Sequence, residues 1–175
     1  MKIIISLFIG LFLFTLASAN LFAQDKKITI ILLRHAEKDI LDEENNPGDP
    51  NLSAEGLARA KRLVKILKKY RPYQIYSTNF RRARLTITPL AEETYSQYRL
   101  PIQIYDGKRL EDFANQLLAS KARTIVVVGH SNTIPALANL LIKQDKYKTL
   151  AESEYDKMWI IKIKKGKAKD KIILY

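Results

Sequence analysis

Short runs of apolar residues alternate along this chain with stretches in which apolar residues recur at helical spacing. KITIILLRH at 27–35 and TIVVVGH at 124–130 are typical of strands that are buried on both faces of a parallel sheet. LSAEGLARAKRLVKILKKY predicts an amphipathic helix between them. The apolar positions of that helix are Leu57, Ala60, Val64 and Leu67.

The rest of the pattern continues this alternation. QIYST and LPIQIYD predict two further short strands, and NFRRARLTITPLAEETY, GKRLEDFANQLLAS and SNTIPALANLLIK predict helices. Pro89 should break or kink the first of these helices, whereas Pro135 falls in a first turn, where proline is tolerated. DILDEENNPGDPN predicts a loop, after which Ser53 is placed to cap a helix. MWIIKIKKGKAKDKIILY predicts two strands around a turn at Lys165-Gly166.

This order of elements predicts an α/β fold, a three-layer sandwich with a mostly parallel central sheet and helices on both faces. The C-terminal hairpin should add antiparallel strands. Ligands of such sheets bind beyond the carboxyl ends of the strands. The chain has two histidines, His35 and His130, and each follows a predicted strand, with Arg34 directly before the first. If those strands are neighbours, the two histidines share one pocket.

The first 23 residues show a different pattern, in which one basic residue precedes a long apolar run and then small residues. This is typical of a secretory signal peptide, cleaved after Ala23 or, alternatively, after Ala19. A retained membrane anchor is the alternative, but a run of about 17 apolar residues is near the lower limit for a span. We therefore expect a signal peptide at 1–23, one domain at 24–175, and a secreted or periplasmic protein without a stable membrane anchor.

Charge and cysteine content narrow the possible partners. The formal net charge is +12, from 30 Lys and Arg against 18 Asp and Glu, which favours encounter with phosphates, nucleic acid or an acidic envelope surface. The basic residues are spread over several elements and the aromatic residues show no interleaved stacking pattern, so no nucleic-acid partner is expected. The chain has no cysteine. Its stability must therefore come from packing rather than from disulfides.

Two histidines and several arginines in one pocket suit phosphoryl transfer. A neutral imidazole can attack phosphorus and carry the phosphoryl group as a covalent intermediate. Arginines pair with phosphate oxygens and neutralise their charge in the transition state, and a carboxylic acid can protonate the leaving oxygen. The scheme requires no metal and no other cofactor. The arginines should also lower the pKa of His35 and keep it neutral.

Three segments in order, LLRHAEK, IYSTNFRRARLT and VVVGHSN, resemble the histidine phosphatase superfamily, also called the phosphoglycerate mutase-like family. The resemblance covers most of the predicted domain, although the first motif reads Arg-His-Ala where the family usually has Arg-His-Gly. It implies that His35 is the nucleophile that becomes phosphohistidine. It also implies that Arg34 and Arg82 bind the phosphate, and that His130 is a phosphate ligand that stabilises charge.

The resemblance also suggests the remaining site residues. The middle motif is matched by Ser77, Arg82, Ala83 and Thr86. A shifted register would exchange Arg82 with Arg81 or Arg84. Ser131 and Asn132 open the helix after the second histidine, where backbone N–H groups favour anions, and both are expected to bind substrate.

The general acid is less well defined by the sequence. Many members of the family carry a glutamate in the segment after the second arginine. Glu111 occupies roughly that place, and Asp112 and Asp106 are alternatives. Two further acids that follow the nucleophile, Glu37 and Asp39, could shape the entrance of the pocket.

The function implied by the resemblance is that of an exported, metal-independent phosphoric monoester hydrolase. It would act on a small phosphorylated substrate through a phosphohistidine on His35. A phosphoglycerate-type mutase or a phosphohistidine-protein phosphatase fits less well, because the substrates of both are cytoplasmic. A non-catalytic phosphate- or polyanion-binding module on the same fold is the alternative from a different class.

Overall fold

A six-stranded sheet forms the centre of the computed structural model, which describes residues 27–93 and 100–175. The strands are β1 Lys27–Arg34, β2 Gln74–Ser77, β3 Ile102–Ile104, β4 Thr124–Gly129, β5 Lys157–Lys164 and β6 Lys167–Leu174. Their order across the sheet is β3-β2-β4-β1-β5-β6. The first four strands are parallel, whereas β5 runs antiparallel to β1 and to β6. The predicted mostly parallel sheet with a C-terminal hairpin is therefore confirmed.

Within the described residues, five α-helices accompany the sheet. They are α1 Ile40–Asn45, α2 Ala54–Leu67, α3 Arg81–Glu93, α4 Leu110–Ala119 and α5 Thr133–Ile142. Leucines and isoleucines of α2 and α3 pack on one face of the sheet, and those of α4 and α5 pack on the other. Alternate residues of β1 take part in the two cores, with Ile31 in the first and Ile30 in the second. The six strands and both cores that the structure describes lie within the predicted domain at 24–175.

Local structure departs from the sequence-based prediction at three places. Asp39 accepts hydrogen bonds from the N–H groups of Leu41 and Asp42 and so begins α1, inside the stretch predicted to be a loop. Pro89 lies within α3 without ending it, because the buried side chains of this helix hold it on the sheet. Leu57 is exposed rather than part of the core. The predicted signal peptide lies outside the described residues and stays a prediction.

Candidate active site

The two histidines emerge side by side from the centre of the sheet. β1 and β4 are parallel neighbours in which Arg34 pairs with Gly129. The backbone N–H of His35 continues this ladder by donating to the Gly129 carbonyl at 2.9 Å. The rings of His35 and His130 are consequently 5.3 Å apart between centroids, in an edge-on arrangement. The two residues that the sequence placed at strand ends thus occupy one site.

The hydrogen bonds of His35 select one tautomer. Its Nδ1 lies 2.8 Å from the carbonyl oxygen of Ala36, which can only accept, so Nδ1 carries the proton. Its Nε2 lies 3.3 Å from the Nε of Arg82, which can only donate. The lone pair of His35 is therefore on Nε2, on the side of the ring that faces the arginine. A nucleophile oriented in this way needs no further proton removal before it attacks.

Both imidazoles are held neutral by their surroundings. Burial lowers the pKa of His35 to about 3, with further lowering from the charges of His130, Arg82 and Arg34, and the hydrogen bond to Ala36 offsets this only in part. Burial and the same two arginines lower the pKa of His130 to about 4. The sequence predicted that the arginines would lower the pKa of His35, and the structure adds that burial is the larger cause.

Arg82, on the first turn of α3, is held between the nucleophile and the loop that precedes α2. Its Nη1 donates to the Gly48 carbonyl at 2.9 Å and lies 3.6 Å from a carboxylate oxygen of Asp49. Gly48 has a φ of 90°, a left-handed conformation that favours glycine. The guanidinium also lies over the ring of Phe80, 4.4 Å from its centroid. Arg82 is thus fixed as a cation next to His35 Nε2.

Arg34 is buried and engages the segment that precedes β5. Its Nη1 donates to the carbonyl oxygens of Ala151, Glu152 and Glu154 at 2.8 to 3.3 Å, and its Nη2 donates to the Glu152 carboxylate at 2.9 Å. Its guanidinium also lies 4.1 Å from the ring centroid of Tyr155. In the described part of the chain, its buried Nε has no hydrogen-bond partner. A substrate phosphate would have to compete with Glu152 for this arginine.

A second group of contacts fixes the loop that carries the nucleophile. The hydroxyl of Thr86 accepts from the Ala36 N–H at 2.8 Å and donates to the Arg82 carbonyl at 2.7 Å. It therefore couples the positions of the His35 loop and α3. Gly129 supports the same region, because a Cβ there would lie only 2.5 Å from the hydroxyl of Tyr105.

Glu37 belongs to this support rather than to the entrance of the pocket. It receives paired hydrogen bonds of 2.6 to 2.9 Å from Arg59 of α2, and Arg59 also donates to the backbone carbonyl of Tyr175. Burial would raise the pKa of the Glu37 carboxyl, but the hydrogen bonds and charge of Arg59 outweigh burial and lower it. Asp39, the other predicted entrance acid, is engaged in capping α1.

A cavity of about 970 Å³ opens above the histidines, large enough for a phosphate and an organic group attached to it. Two carboxylates are among its lining residues, Asp106 after β3 and Glu152. Glu111 and Asp112 do not line it. They are exposed on the first turn of α4 and border a neighbouring cavity, because α4 starts several residues beyond the carboxyl end of β3. The structure therefore does not bring Glu111, the predicted general acid, to the nucleophile.

The other candidate residues from the sequence differ in whether they line the cavity. Ser131 and Asn132 line the cavity, and the Asn132 side chain caps α5 by accepting from the Thr133 N–H. Of the three neighbouring arginines, only Arg82 is among the cavity-lining residues. Arg81 donates its backbone N–H to Asp49, and Arg84 is exposed with a hydrogen bond to Asn79.

Four further residues contribute to the site without having been singled out from the sequence. Thr78 hydrogen-bonds to His130 Nε2 at 2.9 Å, and Phe80 packs edge-on against the same ring. Both follow β2, so the rule that ligands bind at strand ends could have indicated them. Glu152 and Tyr155 lie in an irregular segment, where no local pattern marks them.

Two general features of the described residues complete the description. Within 27–93 and 100–175, no group of three His, Cys, Asp or Glu side chains is arranged to hold a metal ion. In the same ranges, no helix is long and apolar enough to cross a membrane.

Comparison with known proteins agrees with this geometry. Residues 30–107, which include His35 and Arg82, match the family model of the histidine phosphatase superfamily (branch 1). The matched segment contains the first two of the three motifs that resemble this superfamily. A search of curated protein sequences finds no significant match.

Solved structures share the fold across most of the chain. An alpha-ribazole phosphatase from Shigella flexneri is 15% identical over 85% of this chain and 96% of its own, with a TM-score of 0.66. A mycobacterial glucosyl-3-phosphoglycerate phosphatase is 17% identical over 86% of this chain and 99% of its own, with a TM-score of 0.63. A phosphoserine phosphatase mutant from Entamoeba histolytica, in complex with phosphoserine, is 15% identical over 82% of this chain and 94% of its own, with a TM-score of 0.60. At these identities the likeness is one of fold.

Proposed function

We propose that this protein is an exported, metal-independent phosphatase that hydrolyses phosphomonoesters through a phosphohistidine on His35. The observation that carries the proposal is the neutral His35 ring, whose Nε2 lone pair faces Arg82 and whose neighbour is His130. The superfamily match and the phosphatases that share the fold support the same activity. A non-catalytic binding module would not need a nucleophile held in a reactive tautomer.

The proposed reaction has two steps. His35 Nε2 attacks phosphorus, the bond from phosphorus to the ester oxygen breaks, and the leaving oxygen takes a proton from an acid. Water then gives a proton back to the carboxylate left by that acid and attacks the phosphohistidine, which releases inorganic phosphate and restores the imidazole. Arg82, His130 and the unpartnered Nε of Arg34 would stabilise the charge on the transferred group.

The test is hydrolysis of p-nitrophenyl phosphate by residues 24–175 in the presence of EDTA, with His35→Ala as the inactive comparison. Activity that survives EDTA and disappears in the variant supports a histidine-based mechanism. Asn132 also lines the cavity. The variant Asn132→Ala is therefore the matched control, and it should keep measurable turnover. Loss of activity with EDTA, or an active His35→Ala variant, would contradict the mechanism.

For the general acid we propose Asp106 in place of Glu111. Asp106 lines the cavity, whereas Glu111 lies outside it. The other lining carboxylate, Glu152, accepts a hydrogen bond from Arg34 at 2.9 Å and is therefore already engaged by a side chain of the site.

Esters with good and poor leaving groups distinguish these acids. Asp106→Asn should slow hydrolysis of an alkyl phosphate by about 10²-fold or more and affect p-nitrophenyl phosphate much less, since nitrophenolate leaves without a proton. Glu152→Gln and Glu111→Gln should not show this dependence on the leaving group. If Glu111→Gln shows this dependence, Glu111, the acid expected from the sequence, is the general acid.

Export is proposed from the sequence of the first 23 residues. Mass spectrometry of the protein recovered from the envelope fraction of its own cells should find a new N-terminus after Ala23 or Ala19. An intact N-terminus on a cytoplasmic protein would contradict export while leaving the phosphatase proposal untouched.

A further inference from the structure

Six lysines lie together on one face of the sheet, far from the candidate active site. This lysine face comprises Lys27, Lys162, Lys164, Lys167, Lys169 and Lys171, and all six are exposed. They share a face because directly paired residues of neighbouring strands point the same way. The lysine pairs are Lys27 with Lys164, Lys164 with Lys167, and Lys162 with Lys169. Lys171 lies on the same face because it is two residues from Lys169 on β6, and residues two apart on a strand point the same way.

The arrangement is costly to the isolated fold. Like charges directly opposite each other on neighbouring strands destabilise a sheet, and Lys162 is paired with Lys169 in this way. The two strands of the hairpin contain one acid, Asp170, which pairs with Ile161 and so lies on the opposite face. There it is engaged with Lys146 and the hydroxyl of Tyr147. An anionic surface outside the protein would offset the repulsion among the lysines.

Protection of a sheet edge does not explain these positions. Lysines on an exposed edge strand commonly prevent pairing with other chains. That role fits the lysines of β6, which is the edge strand. Lys162 lies on β5 and Lys27 on β1, however, and both strands are paired on each side.

We propose that the lysine face docks this protein on the surface of an anionic phospholipid bilayer. The charge is complementary to acidic headgroups, which attract lysines near the membrane surface. The position in the chain also favours a bilayer, because Lys27 follows the apolar segment at 3–19 by only a short stretch of chain. Seven connecting residues span at most about 25 Å when extended. The predicted signal segment would therefore bring this face to a membrane before cleavage.

The orientation keeps the candidate active site accessible. Lys27 begins β1 and Arg34 ends it, so about 23 Å of strand separates the first row of lysines from the histidines. A domain docked through the lysine face would hold its strands along the lipid surface, so the cavity at their carboxyl ends would open parallel to that surface rather than into it. This inference is independent of the phosphatase proposal, since binding can be measured without turnover.

The test is co-sedimentation of residues 24–175 with phosphatidylcholine vesicles that contain or lack phosphatidylglycerol. The tested part contains the whole sheet and both cores, and it leaves out the apolar segment that would bind any bilayer. Binding should require phosphatidylglycerol and decline with salt. Because each lysine near an anionic surface strengthens binding roughly fivefold, the triple variant Lys162→Gln, Lys167→Gln and Lys169→Gln should bind about 100-fold more weakly.

A matched control separates this face from net charge alone. The triple variant Lys61→Gln, Lys121→Gln and Lys148→Gln removes the same charge from other exposed positions and should keep most of the binding. Equal losses in the two variants would overturn the proposal, as would equal binding to neutral vesicles. Binding of a single-stranded RNA without binding of anionic vesicles would also overturn it, in favour of a nucleic-acid partner.

Discussion

The candidate active site and the lysine face hold positive charge in opposite ways. In the cavity, Arg34 is 1% exposed, and Arg82 is fixed by a carbonyl, a carboxylate and an aromatic ring. On the lysine face, six long side chains extend into solvent from a regular sheet. Buried arginines with fixed donors suit recognition of one phosphate in one orientation, whereas exposed lysines suit a diffuse anionic surface.

The difference shows why a net charge of +12 says little about function by itself. The same total could come from either arrangement. The cavity uses few charges at short range, where burial strengthens each interaction, and the lysine face uses many charges in water, where salt screens them. Substitutions in the two regions should therefore differ in size, in salt dependence and in the property that they change.

The largest effect is expected for Arg82→Leu. Loss of a fixed cation beside the nucleophile should lower kcat for p-nitrophenyl phosphate by about 10²- to 10³-fold. Arg84→Leu removes the same charge two residues along α3 from an exposed position and should change kcat by less than about twofold. If Arg84→Leu loses as much activity as Arg82→Leu, the phosphate contact belongs to a different arginine from the one assigned here.

The structure brings Arg82 to His35 for a physical reason that does not apply to Glu111. His35, Arg82 and His130 follow strands that meet at one edge of the sheet, so their order in the chain translates directly into proximity. Glu111 lies seven residues beyond the end of β3, on the first turn of α4, whereas Asp106 is the first acid that follows the strand. The strand-end rule, applied consistently, would have favoured Asp106.

The elements that sequence analysis missed share another cause. Helix α1 has no buried residue, so it shows no hydrophobic period, and only the cap from Asp39 marks it. Glu152 and Tyr155 are placed by contacts with Arg34, more than 115 residues away in the chain. Periodicity describes local structure, whereas positions that are fixed only by tertiary contacts leave no local pattern.

A smaller but distinctive effect is expected from pH. Because the pKa of His35 is about 3 and that of His130 about 4, kcat/KM should stay constant well below pH 6 after correction for the ionisation of the substrate. Both histidines bind protons in the unfolded chain below about pH 6.5 but remain neutral in the folded protein. The free energy of unfolding should therefore fall as the pH falls from about 6.5 towards 4.

Urea unfolding at several pH values measures this stability effect. Carboxylates such as Glu37 contribute a loss in the same direction, so the informative quantity is the difference between the wild type and a double variant, His35→Asn with His130→Asn. The variant should lose less stability over that range. Parallel curves for the two proteins would show that the histidines are protonated to the same extent in the folded and unfolded states.

The smallest effect concerns the influence of one region on the other. The variant with Lys162, Lys167 and Lys169 replaced by Gln should hydrolyse p-nitrophenyl phosphate with kcat/KM within about twofold of the wild type. Lys167 lies level with Lys27, and Lys162 and Lys169 lie level with Thr29, so about 17 to 23 Å of strand separates these lysines from Arg34. That is well beyond the screening length of about 8 Å at physiological salt. Lys108→Gln, at the cavity itself, should lower kcat/KM severalfold at low salt and less at high salt, because this single exposed charge attracts the dianionic substrate. If the distant triple variant lowers kcat/KM more than Lys108→Gln does, the two regions are electrostatically coupled, and the lysine face attracts substrate rather than only a surface.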